Sequence, residues 1–349
     1  MNRQADVALF TTFLGLQLDS PIVVGAAPPL SSDLARLEQL QAEGAGAVVL
    51  HSLFLEQAER DWREWWNHQI DGRESHHEAT EYCPSTEPQF LGLDGYVREI
   101  EAARSSVSIP VIASLNGDCC SRHRQSWVEV ATAVEQAGAD ALELNLYSVP
   151  SAVDRTSECV EQEQLAVVNA VCSALEIPVA VKISPWYTGL AAMGQDLQKA
   201  GARGLVLFNR FYELDIDIET LETNSRFRLS TAAEQQLPLR WIGLLYGRID
   251  LELVASGGIA SGLDVIRMLM AGAQVTQVVS ALIRQGPGQI VRMHDELMQW
   301  LESHGIEGIC DLQGTLSHQR CADPENYMRA QYIRALSSYS CDTTPFANG

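Results

Sequence analysis

Ile177-Pro178-Val179-Ala180-Val181-Lys182-Ile183-Ser184-Pro185 decides the fold. Its apolar run is continuous rather than alternating, as in a parallel strand buried on both faces, and proline opens it where no ladder hydrogen bond is lost. Lysine is almost never fully buried without a partner, so the Lys182 ammonium must emerge at the strand end, where an anionic group meets it. That end is a candidate binding face.

Working outward, the same rhythm recurs. Ala42-Glu43-Gly44-Ala45, Gln136-Ala137-Gly138-Ala139, Lys199-Ala200-Gly201-Ala202 and Met270-Ala271-Gly272-Ala273 each read as a helix end, a left-handed glycine cap and the start of an apolar run. Ile109-Pro110-Val111-Ile112-Ala113 repeats the Ile-Pro opening, and Pro21–Gly25 and Leu251–Ser256 add two more runs. The strands centre near Val23, Val48, Ile112, Leu142, Ala180, Leu205, Leu253 and Val278. Strands alternating with helical patterns in this number predict an α/β fold, a (β/α)8 TIM barrel. An open doubly wound sheet would require a Gly-x-Gly-x-x-Gly turn after the first strand, and none is present.

The 349 residues read as a single barrel domain, 1–349, with a frayed polar tail over about 340–349. An amphipathic helix is predicted around Val291 to Leu301. The loops after strands 2 (Ser52 to Gly95), 4 and 6 (Arg210 to Leu239) are extended, and on a barrel such loops form the active face. Trp62, Trp65 and Trp66 fall on one helical face within the first of these and are expected to pack on the barrel.

Composition narrows the function. An apolar fraction of 46% is globular, and no segment is long and apolar enough to span a bilayer. The N-terminus lacks a leader pattern, so the expected compartment is cytoplasmic. A formal charge of -21 opposes nucleic acid and anionic lipid as partners. The 8 cysteines show neither paired metal-ligand spacing nor a disulfide framework, and His76-His77 has no second ligand cluster, so no metal is expected.

At the C-terminal ends of the strands stand His51-Ser52, Ser114 and Asn116, Asn145 with Ser148, Lys182, Asn209-Arg210, Gly257-Gly258 and Ser280. This is a polar ring with one lysine. Loops after strands 7 and 8 of a barrel commonly bind phosphate through backbone N–H groups, and Gly257 and Gly258 allow the close approach that this needs.

These residues carry a resemblance. Ala141-Leu142-Glu143-Leu144-Asn145-Leu146-Tyr147-Ser148, Val181-Lys182-Ile183-Ser184-Pro185, Leu207-Phe208-Asn209 and Ala255-Ser256-Gly257-Gly258-Ile259 resemble the dihydroorotate dehydrogenase family in order and spacing. Thr12 to Pro21 resembles its opening hairpin and first strand, so the resemblance runs from about Thr12 to about Gly314. It implies an FMN-binding barrel of the soluble class. Lys182 would stand beside the flavin, with Ala26, Ser52, Asn116, Asn145, Gly257, Gly258, Ser280 and Ala281 completing the cofactor site. Ser148 takes the position of the base that removes a proton as hydride leaves the neighbouring carbon. A serine there needs a proton relay or a water path. The adjacent Cys119 and Cys120 are alternative bases. A homodimer is implied too, with fumarate, NAD or a partner protein open as electron acceptor.

The resemblance frays on the substrate side. His51 replaces the family's lysine, Pro150 its asparagine and Arg210 its serine, while its Asn-Ser-Met-Gly-Leu-Pro-Asn motif gives way to Pro88 to Gly95. His51, Asn209 and Arg210 are the expected substrate contacts, Arg210 by holding a carboxylate in bidentate fashion. The small-molecule substrate that the resemblance implies is dihydroorotate or a related small cyclic or carboxylate compound. Two other readings stay open: a Schiff-base barrel aldolase using Lys182, with only amides expected around that lysine, and a flavin-binding or regulatory protein without catalysis.

Overall fold

The computed structural model describes residues 8–58, 92–119, 124–210, 214–224 and 228–337. The three tryptophans of the second loop, His76, His77, Pro88, Cys120 and the tail from 340 lie outside the described residues.

The strands are β1 (Thr11–Phe13), β2 (Leu16–Leu18), β3 (Ile22–Val24), β4 (Ala47–Val49), β5 (Leu53–Phe54), β6 (Val111–Gly117), β7 (Ala141–Leu146), β8 (Val179–Ile183), β9 (Gly204–Leu207), β10 (Asp215–Asp217), β11 (Glu222–Asn224), β12 (Glu252–Ser256) and β13 (Val275–Val278). A parallel sheet runs β4-β3-β13-β12-β9-β8-β7-β6, and pairing of β4 with β6 closes it into a barrel of eight strands. Each predicted strand centre falls in one of these eight. The short β5 extends the sheet on β6 through Leu53↔Leu115.

Side chains alternate across each strand. Val23, Ala47, Val49, Ile112, Ala141, Ala180, Val206, Val254 and Val275 point inward and pack together as the lower barrel interior. Their neighbours Val24, Val48, Leu142, Val181, Leu205 and Leu253 face the helices in a second, outer core. The floor is laid by the β1–β2 hairpin, whose two-residue turn, Leu14-Gly15, has φ of 54° and 79°. Positive φ at both positions is what a tight hairpin turn demands, and it places Phe13, Leu14 and Leu18 at the bottom of the barrel interior.

The junction glycines Gly44, Gly138, Gly201 and Gly272 all have positive φ, as the repeat predicted. The predicted amphipathic helix spans Gln289–His304 and buries Ile290, Met293, Leu297 and Leu301 at helical spacing. The extended loop after β9 contains the antiparallel β10–β11 hairpin and leads to the helix Gln236–Leu245. No helix among the described residues is long and apolar enough to cross a membrane.

Candidate active site

The alternation that fills the lower barrel with valine and alanine turns polar towards the strands' C-terminal ends. By the same parity Ser114 and Asn116 on β6, Glu143 and Asn145 on β7, Lys182 on β8 and Gln277 on β13 face inward. Three of them form a buried polar triad. Lys182 Nζ lies 3.3 Å from Glu143 Oε1 and donates to Gln277 Oε1 at 2.9 Å, while Gln277 Nε2 donates to Glu143 Oε2 at 2.5 Å. Lys182 is 7% exposed, Glu143 1% and Gln277 2%.

The anion meeting Lys182 is therefore Glu143, which corrects the expectation that only amides surround it. The pairing follows from register: Asn145 sits opposite Lys182, so Glu143, two residues earlier, faces the same interior one level down. A carboxylate is the wrong neighbour for a Schiff-base lysine, whose amine is activated by apolar surroundings or a second cation. The engagement of Lys182 Nζ by both Glu143 and Gln277 counts against the aldolase reading.

Asn116, Asn145 and Lys182 lie in one row across three adjacent strands, through Asn116↔Asn145 and Asn145↔Lys182. Asn209, just past β9, donates from Nδ2 to Asn145 Oδ1. Four of the predicted residues are thus contiguous. Ser52 joins the same sector, its hydroxyl 2.8 Å from that of Ser114. Ala26 follows β3 and packs half-buried against the barrel interior.

The glycine corner is built by close packing. A Cβ on Gly258 (φ +74°) would stand 2.5 Å from the Thr231 carbonyl oxygen and 2.7 Å from the Gln235 nitrogen. The Gly258 N–H donates to Ser230 Oγ at 3.3 Å, and Ser230 Oγ donates in turn to Ser280 Oγ at 2.9 Å. Gly257 (φ +104°) differs, since nothing lies within 4 Å of where its Cβ would be. Gly257, Gly258 and Ser280, with buried Ala281 after it, therefore meet at one corner, joined by a serine that sequence reasoning missed. Ser230 lies in the long loop after β9, where no periodic pattern marked it.

Ser148, His51 and Arg210 each stand beside an acid. Ser148 donates to Asp118 Oδ1 at 2.7 Å. His51 Nδ1 lies 3.2 Å from Glu99 Oε1, outside hydrogen-bonding geometry, while its backbone N–H is fixed by Ser31 Oγ at 2.8 Å. Beside it Tyr96 accepts from Ser114 N and donates to Ser114 O. Burial drives the Tyr96 phenol far above its ordinary range, with Glu99 and Glu143 pushing the same way. Arg210 donates to Glu234 Oε1 at 3.0 Å. Burial pushes Glu234 up, but hydrogen bonds from Thr231 and Arg210 outweigh it and hold the carboxyl below its usual value. His51 and Arg210 stand on opposite sides of the ring, at the ends of β4 and β9.

Glu143, Gln277 and Asp118 were missed, yet each had a signal. Glu143 precedes Asn145 by two, and Asp118 follows Asn116 by two, so the parity that selected the asparagines selects them too. Gln277 is two residues after the inward Val275. Cys119 is 1% exposed, as core packing requires. A concavity of about 680 Å³ lined by Arg203, Glu252, Gln274 and Gln313 lies at the other end of β9, β12 and β13, away from this polar row.

Comparison with known proteins bears on this arrangement. Residues 88–301 match the family model described as dihydroorotate dehydrogenase. Among curated relatives, the "Dihydroorotate dehydrogenase B (NAD(+)), catalytic subunit" of Methanocella arvoryzae is 30% identical over 77% of this chain and 85% of its own length. Proteins with the same description from Methanocaldococcus jannaschii and Methanothermobacter thermautotrophicus are 30% and 25% identical, over 62% and 89% of this chain and 71% and 98% of their own lengths. With the family model spanning more than half the residues, and the barrel and its polar row in place, the chain belongs to the dihydroorotate dehydrogenase family of oxidoreductases.

Proposed function

We propose that the protein is an FMN-dependent oxidoreductase that removes two hydrogens from adjacent carbons of a small cyclic substrate, dihydroorotate being the first candidate. The observation that carries this reading is the Lys182 ammonium, buried at the active end of the barrel in a row with Asn145 and Asn116.

The residues fit a flavin mononucleotide. Open space at Gly257 admits an anion close to the backbone, and the Ser280 hydroxyl with the glycine turn offers donors for its phosphate. Ala26, Ser52, Asn116, Asn145, Lys182 and Ala281 would complete the hold. When bound, a flavin supplies the two-electron acceptor.

The rest of the chemistry belongs to the chain. Lys182 presents a fixed cation in a dry site, where it stabilises developing negative charge without reorganisation. Glu143 and Gln277 keep its Nζ at one position. Ser148 is the residue that removes the substrate proton. His51, Asn209 and Arg210 face the substrate, with Glu99 beside His51 and with Asn209 and Arg210 hydrogen-bonded to Asn145 and Glu234.

The relatives' printed name, a catalytic subunit using NAD(+), supports an electron-accepting partner for a cytoplasmic homodimer. A non-catalytic flavoprotein is the second reading, favoured by the acids already standing beside His51 and Arg210. The visible absorbance of the FMN-loaded protein, recorded anaerobically before and after adding dihydroorotate, separates the two. We expect a flavin band that bleaches. A band that persists with dihydroorotate and related dihydropyrimidines would leave the second reading standing.

A further inference from the structure

The geometry points to Asp118 as the proton acceptor behind Ser148, an assignment that rests on the reading of Ser148 as the base. A serine hydroxyl is a weak base by itself and acts only when its own proton has somewhere to go. Ser148 Oγ already donates that proton to Asp118 Oδ1 at 2.7 Å.

The contact is built by the fold. β6 and β7 are paired through Gly117↔Leu146, so the residue after β6 and the second residue after β7 emerge side by side. The Trp127 indole donates to the Asp118 backbone oxygen at 3.4 Å and fixes where that residue leaves the strand. The charged groups facing the carboxylate are Arg155, whose Nη1 lies 4.0 Å from Asp118 Oδ2, and behind it Glu163, which holds the other guanidinium nitrogen. Cys119, next in the chain, is buried. The Asp118 side chain is 40% exposed, so one end of the pair faces the reaction and the other meets water.

The proton inventory balances. The substrate C–H bond breaks and its proton bonds to Ser148 Oγ, while the serine's own hydroxyl proton passes to Asp118 Oδ1. The electron pair left on carbon becomes the new C=C bond as hydride departs from the neighbouring carbon, and a bound flavin would supply the two-electron acceptor for it. Asp118 then releases its proton to solvent. It acts through Ser148 and is a positioning residue with an acceptor's role.

The test couples two readouts on the FMN-loaded protein. The first needs no substrate: S148C places a thiol against Asp118, and the pH dependence of its alkylation by iodoacetamide, followed at that position by mass spectrometry, reports its ionisation. An adjacent carboxylate holds such a thiol protonated, so adding Asp118→Asn should shift the alkylation curve down by about one pH unit or more. The second is the rate of flavin bleaching by dihydroorotate across pH, where Asp118→Asn alone should slow the step about 10²- to 10⁴-fold and remove its acid limb. An alkylation curve that Asp118→Asn does not move would overturn the assignment whatever the activity, as would bleaching at the wild-type rate in Asp118→Asn. If the curve moves but the unsubstituted protein is not bleached, dihydroorotate fails as substrate while the coupling of Asp118 to position 148 stands.

Discussion

The lower and upper halves of the barrel interior are made by the same strands at the same parity, and they could hardly differ more. Below, Phe13 and Leu14 close a floor under Val206, Val254 and Val275. Above, one or two inward positions further along, stand Glu143, Lys182 and Gln277, all less than a tenth exposed. The lower half shows that valine and alanine suffice to fill a barrel of this size. Hydrophobic residues of similar volume often replace a buried ion pair with no loss of stability, so the upper half is chemically explained by its use rather than by its contribution to folding.

The sharpest division is expected in the chemistry. Lys182→Ala should slow flavin reduction about 10²- to 10³-fold, the scale on which one preorganised electrostatic donor is lost. Val206→Ala, at the position paired in register with Lys182, should leave the rate per folded molecule unchanged. Stopped-flow bleaching of both variants measures the contrast, and a similar slowing in both would erase the distinction between the halves.

Stability should divide them in another way. Phe13→Ala empties a floor position and should cost about 3–5 kcal/mol in urea unfolding. Glu143→Leu should cost a comparable ~3–5 kcal/mol because it strands a buried ammonium. The two losses have different cures. Adding Lys182→Met to Glu143→Leu should recover most of its loss, since a matched apolar pair replaces a broken ionic one, whereas the same change added to Phe13→Ala strands Glu143 and deepens the deficit. A double variant no better than Glu143→Leu alone would mean that the triad stabilises the barrel in its own right.

These halves were not equally legible in the sequence. Strand positions were, because runs such as Val179 to Ile183 with a glycine cap before the next strand leave few alternatives to a barrel. The row of Asn116, Asn145 and Lys182 was legible because each stands one residue before the end of its strand. What stayed hidden depended on register across strands: that Glu143 neutralises Lys182 follows only once β7 and β8 are paired, and that Gln277 completes the triad follows only once the barrel has closed. The approach of Glu99 to His51 and the hydrogen bond of Arg210 to Glu234 join a strand end to a helix residue, or to one in the long loop after β9, and nothing local announces them.

The glycine corner offers a finer test, because Gly257 and Gly258 are neighbours with different surroundings. Gly258→Ala meets backbone at 2.5 Å as well as an unfavourable φ, whereas Gly257→Ala meets only the φ. Backbone strain of this kind costs about 1–3 kcal/mol. We expect Gly258→Ala to weaken FMN binding about 10- to 100-fold in a fluorescence titration by displacing the loop that carries Thr231 and Gln235. Gly257→Ala should weaken it by filling the open space in which the proposed phosphate would sit, with less loss of thermal stability. Equal thermal losses would mean that the two glycines serve the same packing role.

The smallest effect is expected at the rim of the lower half, where ionisation bears on folding alone. His294 Nε2 sits 2.7 Å from Ser20 Oγ, just before β3, and burial lowers the imidazole pKa, with Asp295 opposing the shift. The folded state therefore refuses a proton that the unfolded chain accepts near the ordinary histidine value of about 6.5. Stability from this group is complete above that pH and declines as the pH falls through it, by at most about 1.4 kcal/mol per pH unit. His294→Gln should flatten this part of the stability curve between pH 7 and pH 5 while leaving the pH dependence of flavin reduction untouched. If the rate profile moved with His294, titration at the floor would be reaching the chemistry above it, and the two ends of the barrel could no longer be treated as separate.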